Sequence, residues 1–132
     1  MAEELQVEGS ITKEGVILLV VKYGQELLLK EGAPERLSKA LTGRYREMLG
    51  KDGGKVRTMS CVVEIQSEIA GSPLVRALFE LWKEVVGKES GQVICVNYPP
   101  DYIDSLTSLG LPSLAGFSLA VTREEAIQSL MK

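Results

Sequence analysis

The chain has 132 residues, and its 15 Lys and Arg against 18 Asp and Glu give a formal net charge of −3. Apolar residues make up 45% of the sequence and charged residues 25%, a composition typical of a folded protein with a hydrophobic core. Nucleic-acid binding is not expected because there is no basic excess, and the absence of histidine excludes Ser-His-Asp and Cys-His nucleophiles and histidine metal ligands.

The first part of the chain predicts two strands and a long helix. Residues 1–14 alternate weakly and fit an edge strand or a mobile end. Six consecutive aliphatic residues at 16–21 predict a strand that is buried on both faces. Residues 25–33 fit either a strand or a helical turn. Residues 34–50 predict an amphipathic helix. Its apolar stripe consists of Leu37, Leu41, Tyr45 and Met48.

The middle of the chain predicts a polar connection, a strand and a second helix. Residues 50–55 are glycine-rich, but we interpret them as a surface connection rather than a phosphate-binding loop, because a helix precedes them and a strand follows. Residues 56–65 predict that strand. Ser72 is expected to cap the next helix, with Pro73 as its first residue and Gly87 at its end.

The last part predicts two more strands, each followed by a helix. The strands are placed at 91–96 and 117–121, and a short helix between them ends near Gly110. Thr122 and Glu125 have the spacing of a capping box and begin the final helix. The order β-β-α-β-α-β-α-β-α predicts an α/β fold with a mixed, mostly parallel sheet of about 4–5 strands and about four helices.

The sequence gives no indication of a cofactor, a metal site or a membrane segment. Cys61 and Cys95 lie in apolar runs without a metal-binding spacing, so we expect buried, reduced thiols. The longest aliphatic run is far too short to cross a bilayer, and we expect no signal peptide because the first residues lack its positive start and apolar stretch. We expect a cytoplasmic protein with one domain over residues 1–132.

Acidic residues that could serve as general acids or bases are scattered along the chain. The candidates are Asp52, Glu64, Glu68 and Asp101. No two of them have a spacing that acid–base chemistry would require. We therefore expect a binding protein rather than an enzyme.

Three stretches of the second half resemble STAS domains, the family named for sulfate transporters and anti-sigma-factor antagonists. Residues 69–74, Ile-Ala-Gly-Ser-Pro-Leu, are similar to the start of the second helix in that family. Residues 104–111 are similar to the end of its third helix, and residues 117–126 to its closing strand and last helix. The resemblance covers about residues 56–131. It implies a single-domain STAS-like sandwich and a non-enzymatic regulatory role.

The resemblance also implies a site. In bacterial STAS members, a Ser or Thr before the second helix is phosphorylated by a partner that is both a serine kinase and an anti-sigma factor. The unphosphorylated form binds that partner. Carried onto this chain, the phosphorylated residue would be Ser72. The partner-binding residues would be Gly71, Ser72, Pro73, Leu74 and Arg76.

Two alternatives remain open at this site. Ser72 also has a purely structural interpretation as a helix cap, worth about 1 kcal/mol. Ala70, Gly71 and Pro73 stand where the family has Asp, Ser and Gly. A second hypothesis is therefore a STAS-fold scaffold or small-ligand-sensing module without a phosphorylation switch. Arg76 faces either solvent, or a partner or phosphate at Ser72.

Overall fold

The computed structural model describes residues 5–51 and 53–131. Within these residues one sheet has the strand order β1-β2-β3-β4-β5. Its strands are β1 (Leu5–Ile11), β2 (Ile17–Tyr23), β3 (Cys61–Ile65), β4 (Val93–Val96) and β5 (Phe117–Ala120). β1 pairs antiparallel with β2, and all other neighbours are parallel. The predicted mixed, mostly parallel sheet is confirmed.

The described residues contain five α-helices. They are α1 (Gln25–Leu29), α2 (Ala33–Lys51), α3 (Ser72–Trp82), α4 (Ile103–Ser108) and α5 (Arg123–Leu130). The additional helix relative to the prediction is α1, formed where the sequence fitted a strand or a helical turn. None of the helices in the described part of the chain is both long and apolar enough to cross a membrane.

The helices cover the two faces of the sheet unequally. Residues of β2 point alternately to opposite faces, which explains why its apolar run is buried apart from the half-buried Val20. Ile17 and Leu19 join the larger core beneath α2 and α3, whereas Leu18 joins a smaller core with Ala126 of α5. The predicted stripe of α2 lies in the larger core, so the spacing of its apolar residues did identify the buried face.

Two predicted boundaries are wrong. The strand expected from residue 56 begins only at Cys61, since Gly53–Lys55 form a 3-10 turn and residues 56–60 connect the two elements. Gly87 does not end the second long helix, because the chain continues beyond α3 as a π-helical segment, Lys83–Lys88.

A contact with α2 accompanies the π-helical segment. Nε of Arg46 donates to Oε2 of Glu84 at 3.0 Å, and Nζ of Lys88 lies 3.3 Å from Oε1 of the same carboxylate. Hydrogen bonding to Arg46 lowers the pKa of Glu84, so the carboxylate stays ionised at neutral pH. The segment is thus tied to a residue that is distant in sequence.

Both cysteines are free and fully buried, as predicted. Burial raises the pKa of the Cys95 thiol to about 12 and that of the Cys61 thiol still further. Because the thiolate is the reactive form, neither side chain is a nucleophile at neutral pH.

Candidate functional site

The connection from β3 to α3 lies at the carboxyl ends of the parallel strands, where open α/β sheets commonly form their binding sites. It comprises residues 66–71. The N–H of Gln66 donates to the carbonyl of Val21 at 2.8 Å, so the connection begins as a continuation of the β2–β3 pairing.

Three polar side chains hold this connection and the end of β3 in place. The Ser67 hydroxyl donates to the carbonyl of Tyr23 and accepts from its N–H, both at 2.8 Å. The Tyr23 hydroxyl donates to the carbonyl of Ile69 at 2.7 Å. Nδ2 of Asn97, after β4, donates to the carbonyl of Ile65 at 2.9 Å. Burial raises the pKa of Tyr23 well above its usual value, so its hydroxyl remains a proton donor.

The predicted N-cap role of Ser72 is wrong. Gly71 is the N-cap, and its carbonyl accepts the N–H groups of Leu74 and Val75 at 3.1 and 3.2 Å, while no side chain caps the helix. Ser72 is therefore the first helical residue and Pro73 the second. The Ser72 side chain is exposed, and its hydroxyl forms no hydrogen bond within the described residues.

The predicted partner-binding residues form a surface around Ser72, with one difference. Gly71 and Pro73 are half-buried, and Arg76 is exposed one helical turn after Ser72, on the same side of α3. Leu74 is fully buried in the core, so it supports this surface from below instead of presenting its side chain. We call Gly71, Ser72, Pro73 and Arg76 the Ser72 surface.

A groove of about 540 Å³ adjoins the Ser72 surface, and Arg76 lines it. It runs between the start of α2, the middle of α3 and the segment after α4. Its apolar lining is Val75, Phe79, Leu109 and Leu111. Its charged lining is Glu35, Lys39, Arg76 and Glu80. The volume lies within the usual range of small-molecule sites.

Among the described residues, the scattered carboxylates do not assemble into a further site. Glu64 accepts from Nε of Arg123 at 2.9 Å and from Nε2 of Gln66 at 2.9 Å, and the Arg123 contact lowers its pKa. Glu64 therefore joins α5 to the sheet as an ion pair. Glu68 and Asp101 are exposed, and Asp52 lies outside the described residues. The described chain contains no group of three residues suited to a metal ion.

Because Ser72 does not cap α3, its replacement by alanine should have little effect on stability. Ser72→Ala is expected to change the free energy of unfolding by less than about 0.5 kcal/mol, because no hydrogen bond is lost. Thr122→Ala is the matched contrast, since the Thr122 hydroxyl accepts the N–H of Glu125 at 3.1 Å and caps α5. It should cost about 1 kcal/mol in urea unfolding. A comparable loss for Ser72→Ala would restore the capping interpretation.

Comparison with known proteins bears on the fold. No family model matches the sequence, and no curated protein matches it. Among solved structures, the chain is similar to that of the anti-sigma factor antagonist SpoIIAA in its unphosphorylated form, with a TM-score of 0.52 and 18% sequence identity. The alignment covers 96% of this chain and 97% of that one. The match extends over the first part of the chain, where the sequence motifs were weak. The chain therefore has a STAS-like α/β fold.

Proposed function

We propose that the chain, as one domain over residues 1–132, is a non-enzymatic regulatory module that binds a protein partner through the Ser72 surface. Phosphorylation of Ser72 by a partner of the serine kinase and anti-sigma factor type would control this binding in the bacterial cytoplasm. The observation that carries the proposal is the exposed, unbonded Ser72 hydroxyl at the start of α3, directly after a connection that is fixed by Tyr23. The structural likeness to an anti-sigma factor antagonist supports it.

The start of α3 can accept a phosphate without unfolding. A phosphoserine carries nearly two negative charges, and the helix dipole favours an anion at this end. Pro73 has no N–H, and those of Leu74 and Val75 are bonded to Gly71, so the backbone offers mainly the N–H of Ser72 itself. Arg76, one turn later, supplies the second donor group. The phosphate would thus be held locally while reversing the charge of the Ser72 surface.

A second candidate function is the small-ligand-sensing module of the same fold without a switch. The groove beside Arg76 favours it, because its volume and apolar lining are those of a ligand site. The substitutions at the phosphorylation motif, Ala70, Gly71 and Pro73, also favour it. A kinase that acts on Ser72 would have to recognise a different local sequence from that of the family.

Tandem mass spectrometry of protein recovered from its own cells tests the proposal. Trypsin should release residues 58–76 as one peptide containing Ser72, and fragmentation should locate phosphate there in a fraction that changes with growth conditions. Two other hydroxyls of this peptide are internal controls. Ser60 is buried and accepts the N–H of Gln92 at 2.9 Å, whereas Ser67 is bonded to Tyr23. Absence of phosphate on Ser72 in growth and in stress would contradict the switch.

A further inference from the structure

We propose that the groove between α2, α3 and the segment after α4 binds a small amphiphilic acid. The apolar body of the ligand would lie on Val75, Phe79 and Leu111, and its carboxylate would face Lys39 and Arg76. This site extends the function beyond protein binding, and ligand binding there does not require phosphorylation of Ser72.

The apolar part of the groove combines a buried floor with exposed walls. Val75 and Leu111 are 1% and 0% exposed, so they form the floor. Phe79 and Leu109 stay 37% and 53% exposed in the absence of a ligand. Phe79 belongs to α3 and Leu109 to the segment after α4, and large apolar side chains from two separate parts of the chain that remain exposed around one concavity indicate a binding surface. An apolar ligand body would cover them.

The Phe79 wall is held in position before any ligand arrives. Its ring stacks on Trp82 with centroids 5.5 Å apart, and Nζ of Lys83 lies 5.4 Å from the Phe79 centroid. Trp82 is itself anchored, because its Nε1 donates to the carbonyl of Ala115 at 2.8 Å. A fixed wall loses little conformational freedom on binding, which favours affinity.

The charged side chains at the rim of the groove favour a negatively charged ligand. Lys39 and Arg76 form no ion pair or hydrogen bond within the described residues. Glu80 forms an ion pair with Lys83, whose Nζ lies 3.0 Å from its Oε2. Glu35 is then the remaining lining carboxylate, so two cations face one anion. This excess suits a single negative charge, and a carboxylate could bond the Arg76 guanidinium through two N–H groups.

The test uses decanoate, an unbranched apolar acid, below its micelle concentration. Titration of the full chain, followed by ¹H–¹⁵N spectra, should give saturable shifts at the amides of Val75, Phe79, Leu109 and Leu111. Nonyltrimethylammonium has an alkyl chain of the same length and a positive charge. It should bind at least about tenfold more weakly, because the charge-assisted hydrogen bonds are lost.

Three variants separate the site from general hydrophobic adsorption. Arg76→Gln should weaken decanoate binding about tenfold, and Glu35→Gln should strengthen it several-fold because the opposing carboxylate is removed. Arg57→Gln is the control, since Arg57 is an exposed arginine outside the groove lining and its loss should leave binding unchanged. The spectra also show whether each variant is folded.

Several outcomes would overturn the proposal. They are shifts of equal size at the exposed Leu29 and Val121 outside the groove, a lack of saturation, equal binding of the cationic probe, or unchanged affinity in a folded Arg76→Gln protein. Ser72→Ala separates this proposal from the phosphorylation switch. It should abolish modification at residue 72 and leave decanoate binding as in the wild type.

Discussion

A Leu78→Ala substitution is expected to lower the free energy of unfolding by about 3 kcal/mol. The Leu78 side chain is fully buried in the larger core, where α3 packs against α2 and the sheet. Truncation would leave a cavity lined by side chains of several elements, which cannot all move inward to fill it. Since domains are stable by about 5–15 kcal/mol, the loss should be large in urea unfolding monitored by Trp82 fluorescence.

Phe79→Ala is the matched control on the same helix. Phe79 follows Leu78 but is 37% exposed in the groove wall, so its removal should cost about 1 kcal/mol, mainly through lost stacking on Trp82. Because Trp82 reports the signal, circular dichroism should be recorded in parallel. Equal losses of stability in the two variants would contradict the assignment of Leu78 to the buried face of α3 and of Phe79 to its exposed face.

The sequence predicted the buried faces well because periodicity reflects burial directly. The run at 16–21 and the stripe of α2 could be placed without knowing the fold. The end of the second long helix could not be placed from the sequence alone. Gly87 is a usual helix terminator, but Glu84 bonds to Arg46 in the π-helical segment that continues past it. That contact joins distant parts of the chain and has no local signal in the sequence.

The sequence motif placed the candidate site at the start of α3, but it assigned the helix cap to Ser72 instead of Gly71. Whether Gly71 or Ser72 caps α3 depends on the path of the preceding connection. Hydrogen bonds of Tyr23, far back in the chain, fix that path. Polar residues at the carboxyl ends of two strands, Tyr23 and Asn97, were the signal that could have indicated these anchors. The groove gave no such signal, because Lys39 and Arg76 belong to separate helices.

Arg76 connects the two proposals physically. It lies one turn after Ser72 and also lines the groove. A phosphate on Ser72 and an acid in the groove would therefore compete for the same guanidinium. The wild-type protein with phosphoserine at residue 72 should then bind decanoate more weakly, as is expected for Arg76→Gln. The coupling would be reciprocal, so groove occupancy would weaken the hold of Arg76 on the phosphate.

Gly91→Ala is expected to destabilise the protein by about 3 kcal/mol through steric conflict. A methyl carbon on Gly91 would lie 2.7 Å from both the carbonyl carbon and the carbonyl oxygen of Met59, and 2.9 Å from the nitrogen of Ser60. These are backbone atoms, so they cannot rotate away as a side chain would. They are also held, because the N–H of Cys61 donates to the carbonyl of Gln92 at 2.8 Å. The start of β3 must shift, and pairing with β4 weakens.

Gly87→Ala provides the control for Gly91→Ala. Gly87 is exposed within the helical segment, and a methyl carbon there meets nothing within 4 Å. Replacing glycine by alanine in a helix is neutral to stabilising by up to about 1 kcal/mol. Urea unfolding should thus move the two variants in opposite directions. Relative to the wild type, the rate of hydrogen exchange in Gly91→Ala should increase most at the β3 amides. A folded Gly91→Ala protein with wild-type stability and protected β3 amides would contradict the close approach of these two segments.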